Sequence, residues 1–423
     1  MSVPSVTERL RQTRRLLASE GVAGVSLRLR ERAAAKILPP GSARLPVASE
    51  DMERVAAVAA AGWNLPESLP ARAGEPLKIA WVTVPPSAGS GGPTTMFRMV
   101  AALERAGHTC TVYLYDRHAW SLDRHVATIR AGWPQVRADI RDVADGIEDA
   151  HAIFATSWQT AYPVLGSPAR GARLYFVQDH EPSFYPAGSH ALLAEATYRF
   201  GFHGVTAGRW LAELLPREYG MQADHFDFGC DLERYGLDDA PGAELQRTAV
   251  CYYCRPSTPR RAFELAVVAL ELFAQRHPEV DIHLFGRPVS GLPFRATVHG
   301  KLTPDELNAL YNRCIAGLTL SATNVSLVPH EMLAAGCLPV VNDAEHNRIV
   351  LDNEDVVYAP PTPFGLADAL SRLVERSPQE RAAAAATAAA SVGSRSWDDA
   401  GRQVDRIVRD VVLAAAPART LAA

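Results

Sequence analysis

From Leu77 onward the chain alternates short apolar runs with longer stretches whose apolar positions recur at helical spacing. Leu77 to Val84, His108 to Tyr115, His151 to Thr156, Leu174 to Gln178 and Gly204 to Thr206 read as strands, with helices over Thr94 to Ala106, Ala191 to Arg199 and Arg209 to Glu218. The series resumes with strands over Thr248 to Cys254, Val280 to Gly286, Thr297 to Leu302, Ile315 to Leu320 and Cys337 to Val341. Helices over Ala262 to Arg276, Pro304 to Tyr311, Phe364 to Val374, Gln379 to Ala390 and Trp397 to Val412 accompany it. Continuous apolar strands separated by helices predict parallel sheets covered on both faces. Gly236 to Gln246, with its Asp-Asp-Ala-Pro-Gly run, has a linker's composition and divides the series in two. The expected organisation is an N-terminal arm over 1–75, α/β domains over 76–240 and 247–390, and a closing helical segment over 391–423.

The arm differs in kind. Val6, Leu10, Thr13 and Leu17 share a helical face, while Arg9, Arg11, Arg14, Arg15, Arg28, Arg30, Arg32 and Lys36 outnumber the acids. Such a basic amphipathic segment packs on its own protein or on a second subunit, or lies on an anionic membrane surface.

Composition narrows the function classes. Apolar residues make up 48% and charged residues 21%, as in globular proteins, and a net charge of −4 speaks against nucleic acid as a partner. No run is long enough to span a bilayer and the N-terminus lacks a signal peptide's apolar core, so the expected location is the cytoplasm. Cys251 and Cys254 form a C-x-x-C, but the residues between them are Tyr252 and Tyr253 in a strand pattern with no second ligand pair. The six cysteines are expected to be buried thiols, with neither zinc nor disulfides.

Ile315 to Val341, IAGLTLSATNVSLVPHEMLAAGCLPVV, reads as strand, loop, helix and strand. Pro329 is tolerated only in a helix's first turn, so the helix should begin near Ser326 or Leu327, place Glu331 on that turn and end at Gly336. A helix start at the carboxyl edge of a parallel sheet offers free N–H groups to an anion such as a diphosphate. An ordinary βαβ unit without a ligand shares that pattern.

Three further loops follow strand ends. Pro85 to Pro93, PPSAGSGGP, is a glycine-rich turn whose Gly91 and Gly92 let a backbone approach a ligand, though the dinucleotide G-x-G-x-x-G is not met. Gln178 to Pro186, QDHEPSFYP, sets Asp179, His180 and Glu181 just beyond a buried strand, as a base or hydroxyl-holding group or as a solvated polar loop. Arg255, Arg260 and Arg261 follow the strand that ends at Cys254, where guanidinium groups can fork onto phosphate oxygens. Asp343, Glu345 and His346 fall on a loop over Asn342 to Asn347, read as solvated rather than as a metal site.

The Ser326 to Val341 stretch, S-L-V-P-x-E-M-L-A-x-G-x-x-P-V-V, resembles the donor-site motif of the GT-B glycosyltransferases of family four. The segments V-Q-D-x-E-P-x-F-Y-P and L-A-E-A-T-Y-R-F-G-F-H-G-V-T-A-G resemble the rhamnosyltransferase WsaF group within them, and the likeness runs from about Lys78 to Val374. It implies a GT-B fold of two doubly wound Rossmann-like domains facing across a cleft, with the last helix crossing back to the first. It implies that Glu331 holds the nucleotide ribose, that Arg255 with Arg260 or Arg261 meets the diphosphate, and that Gly91 and Gly92 face it across the cleft. Ser326, Leu327, Gly286, Thr323, Asn324 and the His299, Gly300 and Lys301 loop complete the implied donor site, with Asp179, His180 and Glu181 on the acceptor side. Thr323 stands where that family usually has an acid that contacts the sugar. The implied activity is retaining, metal-independent transfer of a sugar, most simply L-rhamnose from dTDP-L-rhamnose, to a polysaccharide or lipid-linked glycan, with no cofactor beyond the nucleotide sugar. A GT-B sugar-nucleotide epimerase and a non-catalytic glycan-binding or scaffolding subunit are the alternatives.

Overall fold

The computed structural model describes residues 45–87, 91–117, 121–238, 247–393 and 396–415. The basic pattern before residue 45 and part of the linker, 239–246, lie outside them. The chain divides into two compact units, Met1–Ser49 and Glu50–Ala423, and both sheets lie in the second.

The first sheet contains β1 (Lys78–Thr83), β2 (Thr109–Leu114), β3 (Asp139–Asp142), β4 (Ala152–Ala155), β5 (Ala172–Val177), β6 (His203–Ala207) and β7 (Ala223–Phe226). All pair in parallel, in the order β3-β2-β1-β4-β5-β6-β7. The second sheet contains β8 (Ala249–Cys254), β9 (Asp281–Gly286), β10 (Thr297–Gly300), β11 (Cys314–Leu318), β12 (Leu338–Asn342) and β13 (Val357–Ala359), in the parallel order β10-β9-β8-β11-β12-β13. Helices α1 (Ser49–Ala60), α2 (Gly91–Arg105), α3 (Leu122–Gly132), α4 (Trp158–Gly166), α5 (Ser189–Thr197) and α6 (Arg209–Tyr219) accompany the first sheet. The second carries α7 (Phe263–Arg276), α8 (Pro304–Arg313), α9 (Val328–Ala334), α10 (Glu345–Leu351), α11 (Pro363–Val374) and α12 (Pro378–Ser391). Helix α13 (Trp397–Ala415) closes the chain.

Each sheet with its helices forms a lobe, and the central strands are buried end to end because both faces are covered. In the first lobe Trp81 stacks on Phe154 at 4.1 Å and meets Phe176 edge-on at 5.5 Å. The elements without a counterpart in the apolar pattern include the edge strands and several helices. Asp139–Asp142 and Ala223–Phe226 are short, polar and only part buried, so their sequence carries no strand-like apolar run. Helix α4 contains Pro163 and is buried almost all round, which erases the amphipathic period.

The first glycine-rich loop differs from expectation. Helix α2 starts at Gly91, so Gly91 and Gly92 belong to its first turn and not to the preceding loop. Glu345–Leu351 is likewise a helix, not the expected loop, and its residues are held: Asp343 pairs with Arg348 at 2.5 Å and Glu345 with Arg217 of the first lobe at 3.3 Å.

The lobes are joined twice. The segment after β7 crosses to the second lobe, and α13 crosses back to pack on α2 and β7. The two crossings touch where a Cβ on Gly229 would sit 2.5 Å from the Trp397 backbone nitrogen, a spacing only glycine allows. Arg98 of α2 ties them together through two bonds to the Asp231 carboxylate, at 2.9 and 2.6 Å, with its guanidinium 4.7 Å over the Trp397 ring.

Candidate active site

Open parallel sheets bind ligands beyond the carboxyl ends of their strands, where the strand order reverses. In the second sheet that point lies between β8 and β11, so the arginine turn after β8 and the Ser321 to Ser326 loop after β11 both open onto it. In the first sheet it lies between β1 and β4, beside β5 and its Gln178 to Glu181 extension. The two carboxyl edges meet. Asn324 donates its backbone N–H to Asp179 Oδ1 at 2.9 Å, and its side-chain Nδ2 to the Gln178 and Ala207 carbonyls at 2.9 and 2.7 Å.

The arginine turn is set by backbone strain at one residue. Ala262 lies at φ 47° and ψ 50°, left-handed for a residue with a side chain, where the short 3₁₀ turn Pro259–Arg261 gives way to α7. Arg260 then lies 4.2 Å over the Phe184 ring of the first lobe. Its Nε is 3.2 Å from Asp179 Oδ2, an ion pair that falls short of hydrogen-bond alignment. The Arg261 guanidinium turns inward, where burial pulls its pKa down and its Nη1 has no partner. Arg255 lies 5.8 Å over its neighbour's ring, Tyr253. Ser326 Oγ is a second buried polar atom without a partner.

Helix α9 begins one residue past Leu327 and holds both Pro329 and Glu331 in its first turn, with Gly336 beyond its end. It is only seven residues long, so its dipole adds less here than the arginines do. The Glu331 carboxyl is enclosed, and burial pushes its pKa up to about 7, against a weak Tyr311 hydroxyl bond at 3.4 Å. Asp231 raises it further, and Arg98 offsets part of that.

The acidic triplet of the first lobe turns inward. His180 Nδ1 meets Ser183 Oγ and Nε2 meets Tyr219 Oη, both at 2.7 Å, while burial lowers its pKa. Glu181 Oε2 accepts the Trp158 N–H at the start of α4 at 2.6 Å, and burial raises its carboxyl to about 8. Asp179 is saturated by the other lobe, with Thr323 Oγ1 donating to Oδ2 at 3.1 Å. Of the loop read as solvated or as acceptor-facing, Asp179 and Glu181 are thus buried and His180 is half-buried at its margin.

The remaining expected donor residues divide. Thr323 and Asn324 flank the β8–β11 opening but hold the first lobe. Gly286 ends β9 beside Cys254 at the end of β8, while His299, Gly300 and Lys301 lie on β10, the edge strand, and the turn beyond it. A Cβ on Gly286, whose φ is 111°, would approach the Cys254 carbonyl at 2.7 Å, so glycine serves strand packing there. His299 Nε2 lies 3.0 Å from His283 Nδ1. In the first lobe Gly91 leaves open space where a Cβ would sit, and a Cβ on Gly92 would lie 3.6 Å from the Gln178 amide.

Comparison with known proteins follows this geometry. The second lobe matches the WsaF C-terminal domain family over residues 248–371. The O-antigen biosynthesis protein RfbC of Myxococcus xanthus is 35% identical over 345 residues, covering 78% of this chain. The chain spans 26% of the length of that relative. Anabaena HepE, solved with UDP and glucose, aligns with a TM-score of 0.61 at 14% identity over 79% of this chain and 99% of its own. A variant of S. aureus TarM, solved with fondaparinux, alpha-GlcNAc-glycerol and UDP, gives 0.63 at 7% identity over 78% and 99%. The fold is GT-B.

In this GT-B frame several residues have roles the sequence did not mark, and His346, read as solvated, is buried. Asn342 at the end of β12 exchanges two bonds with the Ser321 backbone, at 2.8 and 2.7 Å, and His346 meets the Ser321 carbonyl at 2.8 Å. Together they fix the loop that reaches Asp179. An asparagine ending a buried strand was the available signal. Tyr311 and Arg98 carried none, because their relation to Glu331 exists only in the fold. Among the described residues no three His, Cys, Asp or Glu side chains converge as metal ligands, and no helix is long and apolar enough to cross a membrane. All six cysteines are buried and free.

Proposed function

We propose that this protein is a glycosyltransferase that moves a sugar from a nucleoside diphosphate donor to a hydroxyl of a polysaccharide or lipid-linked glycan. The observation that carries the reading is the arginine turn at the β8–β11 opening, where Arg261 Nη1 is buried and unpartnered. A buried cation without a partner is costly in an empty protein and is met by an anion of matching geometry. Glu331, enclosed on the far side of the same loop, suits the ribose hydroxyls, as its counterpart does in the family the motif resembles. Similarity to an O-antigen biosynthesis protein supports a glycan as the acceptor.

In this mechanism Arg255, Arg260 and Arg261 bind the diphosphate and stabilise the charge that grows on it as the glycosidic bond loosens. Ser326 Oγ adds a donor. The leaving phosphate takes the acceptor proton, the anomeric configuration is retained, and no metal is required. The resemblance to the WsaF group of family four supports dTDP-L-rhamnose as the donor. The protein works in the cytoplasm, where its basic N-terminal arm packs on the protein itself or on a second subunit, or touches the membrane surface. Calorimetric titration with dTDP-L-rhamnose, dTDP-glucose, UDP-glucose and GDP-mannose tests the reading. Preference for the first supports rhamnosyl transfer, another preference replaces the sugar, and binding of none removes the transferase.

Ionised carboxylate accepts two ribose hydroxyls better than neutral carboxyl does. With Glu331 pushed up to about 7, nucleotide affinity is expected to climb between pH 6 and pH 8. Glu331→Gln should remove that climb and weaken binding about tenfold at pH 8, by roughly the 1.4 kcal/mol of one charge-assisted bond. A pH-independent affinity in the unsubstituted protein would count against Glu331 as the ribose ligand.

A further inference from the structure

Asp179 stands in an unusual place for a carboxylate. It leaves β5 of the first lobe and ends among groups of the second: Asn324 N–H at 2.9 Å and Thr323 Oγ1 at 3.1 Å, with Arg260 Nε at 3.2 Å. From its own lobe it receives only the neighbouring His180 N–H, at 2.9 Å. It is 9% exposed, so its desolvation is offset chiefly by cations and donors of the other lobe. Two guanidinium groups face it, since Arg261 also lies within its field.

That arrangement is under-neutralised. One carboxylate meets two arginines, Arg260 Nε is not aligned to bond it, and Arg261 Nη1 bonds nothing. A diphosphate carries more charge and more acceptor oxygens, in a geometry that guanidinium forks match. The neighbouring Glu181 offers no competing charge at neutral pH, since burial holds it at about 8.

We propose that Asp179 is a built-in counter-anion of the arginine turn: it closes the empty cleft by pairing across the lobes, and the donor diphosphate displaces it. The proposal rests on the assignment of that turn to a diphosphate. Displacement opens the Thr323 hydroxyl and the Asn324 N–H, which become donors for phosphate oxygens beside the arginines. Asp179 is then a positioning residue whose carboxylate weakens donor binding, in contrast to a ligand of the acceptor.

Inorganic pyrophosphate titrated into the full chain tests this. Asp179→Asn keeps the shape and an acceptor oxygen for Asn324 but removes the charge. It is expected to bind pyrophosphate about tenfold tighter than the unsubstituted protein, because the internal competitor is gone. Equal or weaker binding, or none in either protein, overturns the proposal. Amide exchange in the unsubstituted protein is the second readout and does not need the variant to fold. Saturating pyrophosphate should speed exchange across Ser321 to Ser326, and unchanged or slower exchange overturns the displacement. Tighter pyrophosphate binding in the variant with no binding of any nucleotide sugar would sustain the counter-anion and sink the transferase. Nucleotide sugars and pyrophosphate that both bind the two proteins equally would do the reverse.

Discussion

Arg261→Met should cost at least about a hundredfold in turnover and yet yield a protein that melts at a higher temperature. The two effects have one cause. Arg261 is part exposed but its Nη1 is buried and unpartnered, and an unmet buried donor costs about 1–3 kcal/mol, more when it is charged. Methionine keeps the apolar stem and drops the charge, so folding no longer bears that cost. Asp179 retains Arg260, Thr323 and Asn324, so no carboxylate is stranded. In the proposed transfer the variant lacks a donor aimed at charge growing on the leaving diphosphate, and one such donor is typically worth 10²–10³ in rate. Sugar transfer and thermal unfolding of the same preparation check both halves. A lower melting temperature with normal turnover would make Arg261 a structural residue.

That trade-off could not be read from the chain, although the location could. Strand β8, the three arginines and the strand-loop-helix at Ile315 to Val341 stand out because buried parallel strands are continuous apolar runs and the polar residues after them mark the ligand edge. Which arginine turns inward is not marked in the chain, nor is the left-handed backbone of Ala262 that follows them, a conformation alanine does not favour. Asp179 shows the other limit. A charged tripeptide in a loop reads as solvated or catalytic, yet its partner Asn324 lies 145 residues away and in the other lobe. Helix α2 likewise begins at two glycines, poor helix formers, which periodicity and propensity assign to the turn before it.

The same tripeptide yields the largest stability effect expected of a conservative change. Glu181 is buried against the start of α4, where its Oε2 accepts the Trp158 N–H, and burial lifts its pKa from 4.5 to about 8. Below pH 4.5 the carboxyl is neutral in both the folded and the unfolded chain and has no effect on the balance. Between 4.5 and 8 the unfolded chain sheds the proton and the folded one keeps it, so stability falls as pH rises. At roughly 1.4 kcal/mol per unit the loss reaches a few kcal/mol by pH 8 and then levels off. Glu181→Gln presents the same acceptor to Trp158 and cannot ionise. Its melting temperature should match that of the unsubstituted protein near pH 4.5 and exceed it by a margin that widens up to pH 8. Parallel pH dependences in the two proteins would mean that Glu181 is already ionised in the fold. In that case Trp158, the α4 dipole and Arg260 together outweigh burial, and the acidic wall of the cleft carries a charge that any bound diphosphate must meet.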